Sequence, residues 1–141
     1  MDATAATAPA VRVIERMLHE GFSAGNTGIV DELCASDVVE HQFGLSGEGQ
    51  EAIAKIKKGI SDVHAAFPDL VFTVEDSLER GDTVWVRAHG AGTNSGPFFG
   101  PPTGKPVTFT VFDVARVIDG KIVEHWGVPD RFEILARLGR L

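Results

Sequence analysis

The sequence predicts an α+β fold, and three observations lead there. Apolar residues recur at helical spacing through the first half of the chain. Past Pro68 the period changes to the alternation of strands. The helices therefore precede a run of sequential strands and segregate from an antiparallel sheet. A strongly curved sheet wrapped around those helices makes a cone with an apolar pocket inside. The 141 residues amount to one domain by the usual ~150-residue prior. No internal repeat, low-complexity tract or linker divides them. Residues 1–10 are expected to be flexible and residues 11–141 to form a single domain.

Pro9 to Gly25 reads as a helix, with Val11, Ile14, Leu18 and Phe22 on one face. Pro9 suits the first turn, where its missing N–H costs nothing, and Gly25 suits the exit. Thr27 is the expected N-cap of a short second helix with Ile29, Val30 and Leu33 inward. Val38 to His41 is extended, and the three glycines of Phe43 to Gly49 mark a loop. Gln50 to Phe67 carries the clearest apolar stripe, Ile53, Ile56, Ile60, Val63 and Phe67, and Pro68 ends it. Leu70 to Ser77 and Thr83 to Gly92 are strands around a Gly81-Asp82 turn. Thr93 to Pro106 is a long loop. Val107 to Val117 and Ile122 to Val128 form a hairpin about Asp119-Gly120. Asp130 to Leu138 closes the chain as a helix.

Thirteen Lys and Arg against twenty Asp and Glu give a net charge of −7. That balance speaks against nucleic acid, which needs a basic face, and against an anionic membrane surface. No apolar run approaches the ~18 residues a spanning helix requires, and Met1 to Ala10 lacks a basic n-region. With Cys34 alone, no intrachain disulfide can form. A cytoplasmic protein is expected. No nucleotide-binding glycine motif, nucleophile elbow or metal-ligand spacing occurs, so neither cofactor nor metal is expected.

The hairpin carries the chemistry. A three-residue loop with a bulge at Gly120 pairs Asp113 with His125; a two-residue turn instead sets Asp113 against Trp126. In the first register Asp113 shares an apolar face with Phe109, Val111, Ala115 and Val117. A carboxylate there is expensive unless paired or hydrated. An imidazole opposite it makes either a proton donor–acceptor pair in a dry pocket or a structural hydrogen bond that stitches the hairpin. His41, before the glycine loop, is placed for a pocket mouth. His19 and His64 read as solvent-facing. His89 shares a face with Trp85 and Arg87, either a pocket wall or the outer sheet. Phe98 and Phe99, between Pro97 and Pro101, suit a lid over an apolar ligand or a plug in the core.

The runs Gly104-Lys105-Pro106, Asp113-Val114-Ala115-Arg116 and Asp119 to Asp130 resemble the SnoaL-like polyketide cyclases, often labelled ester cyclases. These belong to the nuclear transport factor 2-like superfamily. The phrase His64-Ala65-Ala66-Phe67-Pro68-Asp69 and the helix-first order agree, so the resemblance spans roughly Val11 to Leu138. It implies a cone around a deep hydrophobic pocket, a homodimer formed through outer sheet faces, and intramolecular aldol chemistry on an apolar small-molecule ligand without cofactor or metal. It also implies that Phe22 shapes the pocket. In the family the acid/base Asp follows the hairpin His by two positions, which here is Gly127, while a family His falls at Asp113. Catalysis is accordingly assigned to Asp113 and His125, with Phe22, His41, Phe98, Phe109 and Val111 binding substrate. A hydrolase resembling limonene epoxide hydrolase and a binding or scaffold protein without turnover are the alternatives.

Overall fold

A computed structural model describes residues 9–141. Helix α1 (Pro9–Arg16) continues into a π-helical segment, Met17–Ser23, and is followed by α2 (Ile29–Leu33). Strands β1 (Cys34–Glu40) and β2 (Gly47–Glu48) lead to α3 (Gly49–Ala66). Then come β3 (Val71–Arg80), β4 (Thr83–Thr93), β5 (Pro106–Ile118), β6 (Lys121–Pro129) and α4 (Arg131–Arg137). The six strands form one curved, open sheet in the order β2-β1-β6-β5-β4-β3, wrapped around the helices as a cone. All neighbours are antiparallel except β1 and β6, which run parallel.

The alternation read from the sequence sorts the two sheet faces. Val84, Val86 and Ala88 of β4 oppose Ala115, Asp113 and Val111 of β5 on the concave side, and all six are buried. Apolar burial of this face under α1, and of the Ile53, Ile56 and Ile60 stripe of α3 against β1, supplies the main driving force for the cone. Gly90 belongs to the same face for a steric reason. A Cβ there would lie 2.7 Å from Phe109 Cζ, in the space where Phe72 and Phe109 meet edge to face at 5.9 Å. Trp85, Phe112, Trp126 and Val128 point the other way, toward solvent.

Several local expectations need correction. Pro9 and Ala10 already belong to α1, and the remainder of the loose start, residues 1–8, lies outside the described residues. Thr27 does not cap α2: the helix begins at Ile29 with Gly28 at the N-cap, and Asn26 Oδ1 accepts the Gly28 N–H. His19 is exposed as expected, whereas His64 is half-buried, and both rings are hydrogen-bonded. The His19 ring donates to the Phe72 carbonyl and the His64 ring to the Ser23 carbonyl, tying the first helix to β3 and α3.

The hairpin adopts neither expected register. Asp119 and Gly120 both have positive φ, 52° and 75°, which makes a two-residue turn of the type I′ class. Ile118 pairs with Lys121 and Val117 with Ile122. One extra residue on β6 then shifts the ladder, so Arg116 pairs with Glu124 and Asp113 with Gly127. The displacement from the expected bulged register is two residues. Because side chains alternate with period two, Asp113 and His125 stay on the same face.

Candidate active site

The concave face and the helices enclose a cavity of about 400 Å³, large enough for a small organic ligand. Ile14, Leu18 and Phe22 line it from the first helix, Val63 from α3, and Phe109 and Val111 from β5. Phe98 closes one side and packs edge-on against Phe67 at 5.2 Å. Its loop is pinned from within. Buried Asn94 accepts from the Thr103 N–H and donates to the Gly96 carbonyl, while Arg140 donates to the Phe98 and Pro101 carbonyls. Phe98 therefore both lines the cavity and plugs the core.

Deep in this apolar space stand three ionisable side chains. His125 Nε2–H donates to Asp113 Oδ1 at 2.8 Å, and His125 Nδ1–H donates to Glu40 Oε2 at 2.7 Å. Glu40 Oε2 also accepts the Gln42 backbone N–H at 3.0 Å. Only an imidazolium can donate from both nitrogens. Burial pulls His125 toward the neutral form, but its hydrogen bonds to the Asp113 and Glu40 carboxylates, with their charges, outweigh it and its pKa is pushed up to about 10. Among the described residues Asp113 Oδ2 finds no hydrogen-bond partner, and it is not sealed off, so it opens into the cavity. Cys34 also lines the wall, but burial and then the charges of Glu40 and Asp31 push its thiol up to about 12, so it is no nucleophile at neutral pH.

The raised imidazole couples folding to pH. Between its ordinary value of 6.5 and about 10, the folded chain holds a proton that the unfolded chain has released. Stability from this group is therefore complete below pH 6.5 and is lost as pH rises through about 10. Urea unfolding across this window is expected to show a falling stability in the wild type and a flatter profile in His125→Asn. Parallel profiles would contradict the doubly held imidazolium.

The structure brings Phe22, Phe98, Phe109, Val111, Asp113 and His125 to one cavity and leaves His41 out of it. His41 lies on the opposite side of the sheet from Glu40. Its ring stacks on Trp126 at 4.7 Å and donates to Glu124 Oε2 at 2.7 Å. Successive strand residues face opposite ways, so once Glu40 points inward His41 cannot. His41, with Arg116, holds the Glu124 carboxyl below its ordinary range. His89 likewise belongs to the outer face, beside Trp85 and Arg87 on β4. Sequence reasoning missed Glu40. Its spacing of two from buried Val38 was a usable signal, but the parallel β1–β6 contact that brings it to His125 has no local signature.

Position 127 explains how the acid is accommodated. A Cβ built on Gly127 would lie 2.8 Å from Asp113 Oδ1, 2.9 Å from His125 Cε1, and closer still to Gln42 Oε1. The space a side chain there would enter is already taken by the Asp113 carboxylate. Among the described residues no group of three or more His, Cys, Asp or Glu side chains is arranged to hold a metal ion, and no helix is long and apolar enough to cross a membrane.

A curved sheet closed over helices, with buried acids and an imidazole facing an apolar cavity, is the layout of a small-molecule pocket protein of the nuclear transport factor 2-like fold. A family model of the SnoaL-like polyketide cyclases matches residues 12–138, and the chain belongs to that family. Among solved structures it is similar to IdmH from Streptomyces antibioticus, assigned as a polyketide cyclase, at 34% identity and TM-score 0.76. That match covers 92% of this chain and 98% of IdmH. It is also similar to AclR from Streptomyces galilaeus, assigned as a hydroxylase, at 28% identity and TM-score 0.81, covering 96% and 84% of the two chains. A protein of Acidithiobacillus ferrooxidans, assigned as a polyketide cyclase, shares the fold at TM-score 0.83 with 24% identity, covering 97% and 99%. No functionally curated protein matches the sequence.

Proposed function

We propose that the protein is a cofactor-independent acid–base catalyst acting on an apolar, carbonyl-rich small molecule, in the manner of a polyketide aldol cyclase. The observation that carries this is Asp113, a carboxylate with one oxygen bound to an imidazolium and the other open to an apolar cavity. Asp113 Oδ2 removes a proton from a carbon next to an activated carbonyl. The enolate attacks a ketone in the same molecule, forming a carbon–carbon bond and an alkoxide. Protonated Asp113 then returns the proton to that alkoxide, so the carboxylate is regenerated. His125, held by Glu40, orients Asp113 and balances its charge. The apolar walls keep water from the enolate. A conjugated substrate is its own electron sink, which is why no cofactor is invoked.

Proton–deuterium exchange at the α-carbon of aryl β-keto methyl esters, followed by NMR, tests the first step. Exchange above the buffer rate supports the reading, and none across a panel of such esters overturns it. Binding without turnover is the second reading. It is favoured by the full occupation of both His125 nitrogens within the protein and would show as saturable binding of the same esters with no exchange. Nothing favours an epoxide hydrolase arrangement, because Arg116 lies on the outer face and pairs with Asp82 and Glu124.

The outer face fits a homodimer. Leu78, Trp85, Val114 and Trp126 align across four strands, next to the pair Phe112 and Val128, 55% and 67% exposed. Such a contiguous patch is unusual on a monomer. Sedimentation is expected to give a dimer for the wild type and a monomer for Phe112→Asp/Val128→Asp. A wild-type monomer would remove this assignment. The single Cys34, buried and unpaired, fits a reducing cytoplasm.

A further inference from the structure

We infer that Arg131 is an anion-recognition residue, and that the cavity's ligand carries a carboxylate at the end left at the mouth. This inference rests on reading the cavity as the ligand site. Among the described residues Arg131 is the only Lys or Arg that lines the cavity. It stands where the cavity adjoins a shallower recess bounded by Trp126, Gly127 and Val128, which it also lines. The chain is acidic overall, and Arg16, Arg87, Arg116 and Arg137 each pair with a carboxylate. Among the described residues Arg131 has no such partner. Its Nη2 donates to the Phe43 carbonyl at 3.1 Å, and its guanidinium sits 5.9 Å from the Phe43 ring centroid. A guanidinium has five N–H donors, so most of this fork remains open. The Gln42 side-chain amide, which also lines the mouth, has no hydrogen-bond partner among the described residues.

The charges elsewhere in the cavity dictate which end of a ligand is anionic. Glu40 and Asp113 outnumber the His125 imidazolium at the inner end, so a carboxylate pushed inward meets repulsion. Asp62 on the wall is already paired with Lys58 at 2.6 Å. Among the described residues that line the cavity, Arg131 offers the one positive charge without a carboxylate partner, in the planar fork geometry that suits a carboxylate. An amphiphilic acid would thus enter apolar body first, with its reacting carbons toward Asp113 and its carboxylate on Arg131. Phe43, 84% exposed beside the guanidinium, gives such a ligand an aromatic flank at the entrance.

A matched pair of probes tests this. Isothermal titration at low salt compares 2-naphthoate with its methyl ester, which differ in charge but hardly in shape. The acid is expected to bind about tenfold more tightly to the wild type, and added salt should shrink the gap. Arg131→Gln should erase the preference, bringing the acid's affinity down to that of the ester. An equal affinity in the wild type, or a preference that survives Arg131→Gln, overturns the inference and leaves the cavity as a ligand site intact. Failure of both probes to bind the wild type overturns both readings. Should Arg131→Gln lose both probes through disturbance of the Phe43 loop, Arg131→Lys decides. An acid preference retained there supports the role of charge, and its loss overturns it.

Discussion

Asp113→Asn is expected to lower α-proton exchange by about 10²- to 10⁴-fold, the usual contribution of a positioned acid–base group. The change keeps the shape of the side chain, and an amide oxygen can still accept the His125 Nε2–H, so substrate affinity should change little. The variant has a second signature. One of the two charges that hold the imidazolium is gone, so the His125 pKa should fall from its value of about 10. NMR titration of the ring reports that shift without any substrate. Unchanged exchange together with a lowered His125 pKa would leave Asp113 as a structural partner only. Glu40→Gln should shift the same titration downward while retaining most of the exchange, because Glu40 acts on the reaction through His125.

Gly127→Asp restores the carboxylate to the family's usual position and should destabilise the chain by about 3 kcal/mol. The new Cβ would press on Asp113 Oδ1, His125 Cε1 and the end of Gln42. Gln42 can swing away, since its side-chain amide has no partner among the described residues, but Asp113 is fixed by His125. A third carboxylate beside Glu40 and Asp113 adds like-charge repulsion. The double variant Asp113→Ala/Gly127→Asp vacates the contested volume and should recover more than half of the loss. Urea unfolding of both proteins measures this coupling. Additive effects would mean that the two positions do not share one space, and that Asp113 has not taken the place of the family's acid.

The chain wrote its local structure plainly and its long-range contacts hardly at all. The Ile53, Ile56 and Ile60 stripe located α3, and the alternation through Val107, Phe109, Val111 and Asp113 located the concave face of β5. The acid and imidazole shared a face in the bulged reading, and the observed bulge preserves that parity even though the turn is a different one. Parity depends on counting residues by twos, so it survives an error of two. The exact partner does not survive: the bulged register pairs Asp113 with His125, and the sheet pairs it with Gly127. Glu40 could be placed only by the parallel contact of β1 with β6, strands separated by 80 residues of chain between Glu40 and Lys121, and no local pattern encodes that pairing. His41 is the expected inward residue only if the spacing of two from buried Val38 is overlooked; that spacing turns Glu40 inward and His41 outward.

The paired Glu-His words also bear on folding fidelity. The β1–β6 ladder is short and irregular, held at Cys34 opposite Ile122, Val39 opposite Glu124 and Glu40 opposite His125. In that alignment Glu40 meets His125 on one side of the sheet and His41 meets Glu124 on the other. Slide one strand by a single residue and Glu40 comes level with Glu124, and His41 with His125, so acid is set beside acid and base beside base. The misaligned sheet also turns one member of each couple to the wrong side. Two copies of a two-letter word, offset by one place, thus act as a key that fits in a single position. The same atoms that hold the acid site together reject the nearest wrong way of closing the cone.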